Sequence, residues 1–167
     1  SVKLYINGLD TTDGVTSYYE QGKKVKNDSR KVGTTTYYFD EDGAQVTGTK
    51  LIELNNKKVL IVGGVVSPSG RQTYLDNWYY IGENGEVQYG WLTSTGTAAT
   101  AETGVYYADK TSGILSTGKT ETVDGKLYYF NAESEKATAS SEANTYEQVT
   151  GTGYYVDAAG NVAVKGI

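Results

Sequence analysis

The chain has no cysteine, no histidine and no methionine among its 167 residues. The first absence excludes disulfides and thiolate chemistry, the second removes imidazole as a general acid or base, and the two together remove most zinc sites. No apolar run approaches the roughly 18 residues of a membrane-spanning helix. Fifteen basic residues against 20 acidic ones give a net charge of -5, with no basic stripe to follow a phosphate backbone. Nucleic acid is therefore not an expected partner, nor is any other anionic polymer. Hydrophobic content is 38%, low for a globular core.

What the chain has instead is tyrosine. Twelve of its 16 tyrosines stand in doublets: Tyr18-Tyr19, Tyr37-Tyr38, Tyr79-Tyr80, Tyr106-Tyr107, Tyr128-Tyr129 and Tyr154-Tyr155. A tyrosine ring buries roughly 150 to 250 Å² and keeps a hydroxyl that needs a partner, so repeated tyrosine can replace leucine in a core. Doublet starts are 19, 42, 27, 22 and 26 residues apart, and the 42 reads as two periods of 21 with a degenerate copy between. A repeat near 20 residues marks a stacked architecture. Such a unit is too short to own a core and must bury its aromatic face against its neighbours. This arrangement suits an extended binding surface better than a catalytic cleft.

The clearest copy runs from Tyr37 to Gly48, where an aromatic strand meets a polar turn and then a short alternating strand. That is a β-hairpin signal, with Gly43 supplying positive φ at the end of the turn. Trp78 to Val87, with its Asn84-Gly85, and Tyr154 to Val162 repeat the scheme, and in all three the glycine falls six residues after the first tyrosine. Tyr18 is followed early by Gly22, Tyr106 late by Gly113, and Tyr128 by no turn glycine at all. Lys58 to Val66 reads as the missing copy, its doublet replaced by aliphatics. The expectation is one all-β module over residues 1–167, built of about seven degenerate hairpin copies with little helix and clearest at 37–48, 78–91, 128–131 and 154–166. Two stretches, Thr93 to Thr103 and Ala132 to Asn144, break the rhythm and read as polar loops outside the stack. Within a doublet the rings point to opposite faces of the strand, so one enters the core and its neighbour faces outward or into a seam.

Tyr37-Tyr38-Phe39-Asp40-Glu41-Asp42-Gly43-Ala44-Gln45-Val46-Thr47-Gly48 resembles the repeat element of glucan-binding repeats. These occur in non-catalytic regions of glucansucrases from lactic-acid bacteria and in streptococcal glucan-binding proteins. Tyr146 to Gly151 and Asp124 to Asn131 resemble further parts of the same element, and the likeness extends with decay from about Tyr18 to Gly166. Two sister families share the hairpin: choline-binding repeats of pneumococcal surface proteins and the carbohydrate-binding repeats of clostridial toxins. The resemblance implies a β-solenoid of stacked hairpins. It also implies an α-glucan partner, no cofactor, no enzymatic activity, and a place beside the catalytic domain of a parent protein outside the cell or on a bacterial surface. With no initiator Met and no signal peptide, the chain is expected to be a fragment of a longer secreted protein, and absent cysteine fits many Gram-positive surface proteins. A row of choline cages is not expected from two tryptophans, Trp78 and Trp91.

A neutral glucan presents apolar C–H faces and a rim of hydroxyls, so its receptor needs an aromatic platform with fixed amide or ammonium groups. In the family, pockets form between consecutive hairpins. Carried over by resemblance, this gives Tyr37, Tyr38, Gln45 and Lys50 as one candidate, then Tyr79, Tyr80 and Gln88 with Trp91 closing one side, then Lys119, Tyr128 and Tyr129. The acidic turn Asp40-Glu41-Asp42-Gly43 lacks the 12-residue ligand spacing of an EF-type loop and reads as a polar turn rather than a metal site. Carboxylates repeated in turns form no glycosidase pair. The competing reading is a structural spacer or adhesin segment in which the tyrosines only staple the stack.

Overall fold

The computed structural model describes residues 6–95, 103–139 and 145–163. Among the described residues it is all-β, with 17 short strands and a single three-residue 3-10 turn at Glu83–Gly85. The chain divides into two compact units, one of Ser1–Tyr74 with Ile81–Val87, the other of Leu75–Tyr80 with Gln88–Ile167.

In the first unit, β1 (Gly8–Thr12), β2 (Val15–Glu20) and β3 (Lys23–Lys24) form one antiparallel sheet. The strands β4 (Asp28–Val32) and β5 (Thr35–Phe39) form a second. A third holds β6 (Lys50–Leu54), β7 (Lys57–Val62) and β8 (Val65–Val66), and β9 (Gly70–Tyr74) follows. The second unit takes Asn77 to Tyr80 of β10 (Asn77–Ile81), then the antiparallel pairs β11 (Gly90–Thr95) with β12 (Thr103–Ala108) and β13 (Lys119–Val123) with β14 (Lys126–Phe130). Its last sheet is β15 (Glu147–Gln148), β16 (Tyr155–Val156) and β17 (Val162–Ala163).

The sequence reading paired each doublet strand with the short strand after the glycine turn. The structure assigns most of the pairing elsewhere, to a strand that precedes the doublet. Lys119 to Val123, for instance, pairs along its whole length with Lys126 to Phe130. Two-residue turns make these hairpins, with both residues at positive φ: Asp13 and Gly14, Asn55 and Asn56, Asp124 and Gly125. Turns of that hand match the right-handed twist of the flanking strands, and Asn, Asp and Gly bear the conformation most readily.

The segment after the glycine turn does return to the doublet strand, as β3 on β2, β8 on β7 and β17 on β16, or by the single bridges of Phe39 with Gln45, Ile81 with Val87, Ala108 with Leu115 and Phe130 with Lys136. In four copies it bonds to the hairpin before it as well. Gln45 N–H donates to Thr16 C=O (2.8 Å), Val87 N–H to Lys58 C=O (3.0 Å), Leu115 N–H to Trp78 C=O (2.8 Å) and Lys136 N–H to Val105 C=O (2.7 Å). In these four copies the hairpin is thus stitched to its predecessor by a main-chain hydrogen bond, the local arrangement of a β-solenoid. The true ruler is the turn, not the doublet. Gly22, Gly43, Gly64 and Gly85 are each 21 residues apart, and so are Gly113 and Ser134. The intervals from Gly85 to Gly113 and from Ser134 to Gly160 are 28 and 26 residues, which is why the doublet spacing drifts there.

Ser134 occupies the place of the missing glycine after Tyr128. It adopts φ 65°, is fully buried, and shares a hydrogen bond with the hydroxyl of Thr117. The stretches read as loops outside the stack are, where described, part of it. Thr93 to Thr95 and Thr103 extend β11 and β12, while Asn131 to Lys136 form an ordinary turn with Asn131 N–H on Glu135 C=O. Residues 1–5, 96–102, 140–144 and 164–167 lie outside the described residues.

In five of the six doublets the residue that follows is in the core, the exception being the exposed Glu20 after Tyr18-Tyr19. Phe39, Ile81, Ala108 and Phe130 are fully buried and Val156 nearly so. Leu60 holds the corresponding place in the aliphatic copy, four residues before Gly64, and is also fully buried. Tyr38, Val59 and Ile61 cluster with Ile52, Leu54 and Val66 in the first unit, and Tyr106, Ala108 and Leu115 with Trp78, Tyr80 and Leu92 in the second.

The turn glycines give a test with an internal control. Gly125 has φ +78° and open space around it, so Gly125→Ala should cost only the left-handed penalty of roughly 1 to 2 kcal/mol. At Gly85 (φ +74°) a Cβ would lie 2.9 Å from Leu60 O and 3.1 Å from Val59 Cγ1, so Gly85→Ala should cost about 1 to 3 kcal/mol more. Urea denaturation of the two variants measures the difference; equal losses would mean that the close approach contributes nothing.

Candidate functional site

Of the first predicted group, Tyr38 is in the core. Its hydroxyl donates to Asn84 C=O at 3.1 Å, and burial pushes its pKa up. It forms one wall of a pocket of about 140 Å³ whose polar lining is Asp28, Ser29, Asn55, Lys57 and Glu86. Tyr37 is half-buried opposite Arg30 on β4, Gln45 sits in the seam with its amide 3.4 Å from Gly64 C=O, and Lys50 is exposed at the start of β6. The pocket therefore takes Tyr38 and leaves the other three outside it. Sequence reasoning missed its polar wall, where Lys57 Nζ lies 3.3 Å from Glu86. The available signal was the Asn55-Asn56 dipeptide, a two-residue turn that ends β6 beside Asn27, to whose carbonyl Asn55 donates at 2.8 Å.

The second and third groups regroup around Trp91. Tyr79 is buried, Tyr80 leans on Tyr106 with ring centres 5.6 Å apart, and Gln88 N–H donates to Tyr80 C=O at 2.9 Å. Trp91 keeps 40% of its surface exposed and is held edge-on by Tyr107 (5.2 Å) and Tyr128 (4.9 Å), with Phe130 at 6.0 Å. Tyr129, on the same strand as Tyr128, stacks on Tyr154 at 5.3 Å. Edge-to-face and offset contacts at these distances hold rings in place by about 0.5 to 1.5 kcal/mol each beyond area burial.

Tyr107 also lines a second pocket, of about 200 Å³, together with Asp109, Ser112, Ser116, Lys119 and Glu121. Lys119 lies 3.3 Å from Glu121, and the Ser116 hydroxyl donates to the same carboxylate oxygen at 3.3 Å. An exposed indole and a polar pocket thus meet at one tyrosine. Lys136, which sequence reasoning did not single out, places its ammonium 5.4 Å from the centre of the Trp91 ring and 5.6 Å from that of Tyr128. Its signal was positional: Lys136 stands two residues after Ser134, as Gln45 does after Gly43.

The acidic turn residues act on their own backbone. Asp40, Asp109, Asn131 and Asp157 each accept two main-chain N–H bonds through one side-chain oxygen, from residues two and three or four places on. This is the Asx-turn role of these residue types. The N–H groups of Ser112 and Thr111 hold Asp109 below the ordinary carboxylate range. At Asp157 burial pulls the other way and is outweighed by bonds from Asn161, Ala159 and Gly160.

Hairpins of about 20 residues, nested turn against predecessor with aromatic rings in the seams, define a stacked β-hairpin repeat protein. Residues 30–44 and 72–87 match the choline-binding family of putative cell wall binding repeats. Among curated proteins the chain is similar to Glucosyltransferase-S of Streptococcus mutans serotype c, 28% identical over 75% of this chain and 8% of the relative. It is likewise similar to Glucosyltransferase-I of Streptococcus downei, 29% identical over 89% of this chain and 12% of the relative. The chain therefore spans about a tenth of the length of these relatives. The crystal structure of choline binding protein F from Streptococcus pneumoniae shares the fold, with a TM-score of 0.65 at 24% identity over 95% of this chain and 47% of that one. CbpJ of the same species gives 0.67 at 23% identity, over 95% and 52%. The likeness to cell-wall-binding and glucosyltransferase repeats read from Tyr37 to Gly48 thus holds, and it is a likeness to repeat modules rather than to a catalytic domain.

Lowered turn carboxylates predict the direction of acid sensitivity. Their contribution to stability is complete above the ordinary carboxylate value, near 4, and is lost as pH falls through the lower folded values. The melting temperature should stay level from about pH 7 to 5 and fall below about pH 4. The Asp109→Asn, Asp157→Asn double variant keeps turns of the kind Asn131 already makes, and its melting temperature should fall less steeply. An unchanged acid slope in thermal melts would contradict the assignment.

Proposed function

We propose that the chain is a non-catalytic module that binds a neutral α-glucan of the dextran type. It serves a glucansucrase-type or surface protein outside a Gram-positive cell. The observation that carries this reading is Trp91, an exposed indole fixed by Tyr107 and Tyr128, beside a pocket that offers hydroxyl, carboxylate and ammonium groups. A hexose needs those two things together, a flat apolar face and a rim of hydrogen-bond partners. Half-buried Tyr37 and the exposed Lys50 supply the beginnings of a second, separate contact region. The names of the glucosyltransferase relatives, which share about three quarters or more of this chain, support the same ligand class.

Each hydrogen bond to a sugar hydroxyl adds roughly 0.5 to 1.5 kcal/mol net, so individual sites are weak. Several weak sites on one chain act together through effective concentration when the ligand is a polymer. The matched repeat model favours choline-bearing cell wall as the second reading.

Native affinity electrophoresis with and without dextran tests the proposal. Migration should be retarded by dextran, little altered between low and physiological ionic strength because neither stacking nor uncharged hydrogen bonds are strongly screened. Trp91→Ala should remove part of the retardation, and Trp91→Ala with Tyr37→Ala more than either change alone. A chain that dextran does not retard, but that choline resin retains, belongs to the second reading instead.

A further inference from the structure

At three turns the residue two places after the preceding turn lies beneath the next one. Lys24 lies under Gly43, Val66 under Gly85 and Lys136 under Gly160, close enough that an added Cβ would collide with the Lys24 stem and meet Val66 and Lys136 at 3.2 and 3.0 Å. At Lys136 the covered stem leads the ammonium to the faces of two aromatic rings, Trp91 at 5.4 Å and Tyr128 at 5.6 Å. A bond to Ala159 C=O at 3.1 Å fixes it there. Tyr107 and Phe130 pack on the indole at 5.2 and 6.0 Å. Burial pulls the Lys136 pKa below the ordinary lysine value, and the carboxylate of Asp157 offsets part of that.

Both distances fall within the roughly 6 Å over which a ring face attracts a cation, and tryptophan is the strongest such face. Aromatic faces so arranged are what a quaternary ammonium ligand needs. We propose that Trp91 and Tyr128 form a cation site filled from within by Lys136, and that Lys136 thereby sets the ligand class of the module by shutting out external quaternary ammonium groups. A tethered ammonium has an effective concentration of roughly millimolar or above, so a free cation competes against it at a standing disadvantage. A quaternary nitrogen also carries no N–H and cannot replace the bond to Ala159. Lys24 shows by contrast what the same position does without a box: among the described residues its ammonium is 6.0 Å from one ring, Tyr19.

The test is titration of the full chain with tetramethylammonium chloride at constant ionic strength, followed by tryptophan fluorescence and calorimetry. Wild type should show no saturable change, whereas Lys136→Ala should bind at least about tenfold more tightly, the scale of one well-desolvated cation–π contact. Lys136→Arg should remain closed, and adding Trp91→Leu to Lys136→Ala should abolish the gained binding. Far-UV circular dichroism checks that the variants fold. A readout independent of any variant is the proton spectrum of Lys136 in wild type, whose ε-methylene should be shifted upfield by the rings. The proposal is overturned by wild-type binding as tight as that of Lys136→Ala, by a folded Lys136→Ala that gains none, or by an unshifted Lys136 ε-methylene. None of these outcomes depends on whether dextran is bound.

Discussion

A main-chain carbonyl lies about 3 Å from where a side chain would begin at three of the turns. The pairs are Val25 O beneath Gly43 (3.0 Å), Leu60 O beneath Gly85 (2.9 Å) and Ala137 O beneath Gly160 (3.0 Å). That close approach, more than the tyrosines, sets how tightly one hairpin nests on the next. It brings the segment after each turn within hydrogen-bonding distance of the preceding hairpin, and the bonds from Gln45, Val87, Leu115 and Lys136 follow. Glycine meets two demands at these turns, positive φ and the absence of a Cβ. Ser134 meets them differently, by accepting the left-handed conformation and engaging the Thr117 hydroxyl. Because its polar atom is bonded, a buried serine there avoids the desolvation cost of an unpaired hydroxyl.

Much of the fold was legible because hairpin chemistry is local. Asn84-Gly85 and Asp42-Gly43 announce turns, and the aliphatic copy at Lys58 to Val66 was recognisable by its Gly63-Gly64 despite having no tyrosine. The misreadings share one cause. The tyrosine doublets are the conspicuous ruler, yet their offset from the turn varies from four residues at Tyr18 to seven at Tyr106. A turn-based ruler gives 21 for four of the six intervals and turns Ser134 from a defect into a register mark. Likewise Ala132 to Ser134 looked like a loop on composition, because composition cannot show that Asn131 accepts N–H bonds from Glu133 and Glu135 in the manner of Asp40.

The site was less legible because it depends on contacts between repeats. The position two residues beyond the turn holds Val66, Val87 and Leu115 in some hairpins and Lys24, Gln45 and Lys136 in others. A valine there fills the seam with apolar volume. A lysine or glutamine fills it with a methylene stem and carries its polar end to the edge, as long amphipathic side chains do. Gln45 resembled a ligand-binding amide on residue type alone, but its Nε2 is directed at Gly64 C=O. Only the stacking offset reveals that Gln45 and Lys136 are equivalent, and that one of them ends on rings while the other ends on backbone.

Aromatic exposure then limits where a sugar can stack. In three doublets one ring is committed to the core, Tyr38, Tyr79 and Tyr106, and its neighbour is half-buried. Among the described residues the most exposed large rings are Trp91, Tyr89, Tyr146 and Tyr154, and of these only Tyr154 belongs to a doublet. The repeated tyrosines are therefore chiefly the means of stacking short hairpins without leucine, and exposed aromatic surface falls mostly at positions the repeat does not dictate. An array whose framework is periodic and whose exposed rings are not will present a few unequal sites rather than one per repeat. For the polymeric glucan proposed as ligand that costs little, since neighbouring glucose units would supply the same face again and again.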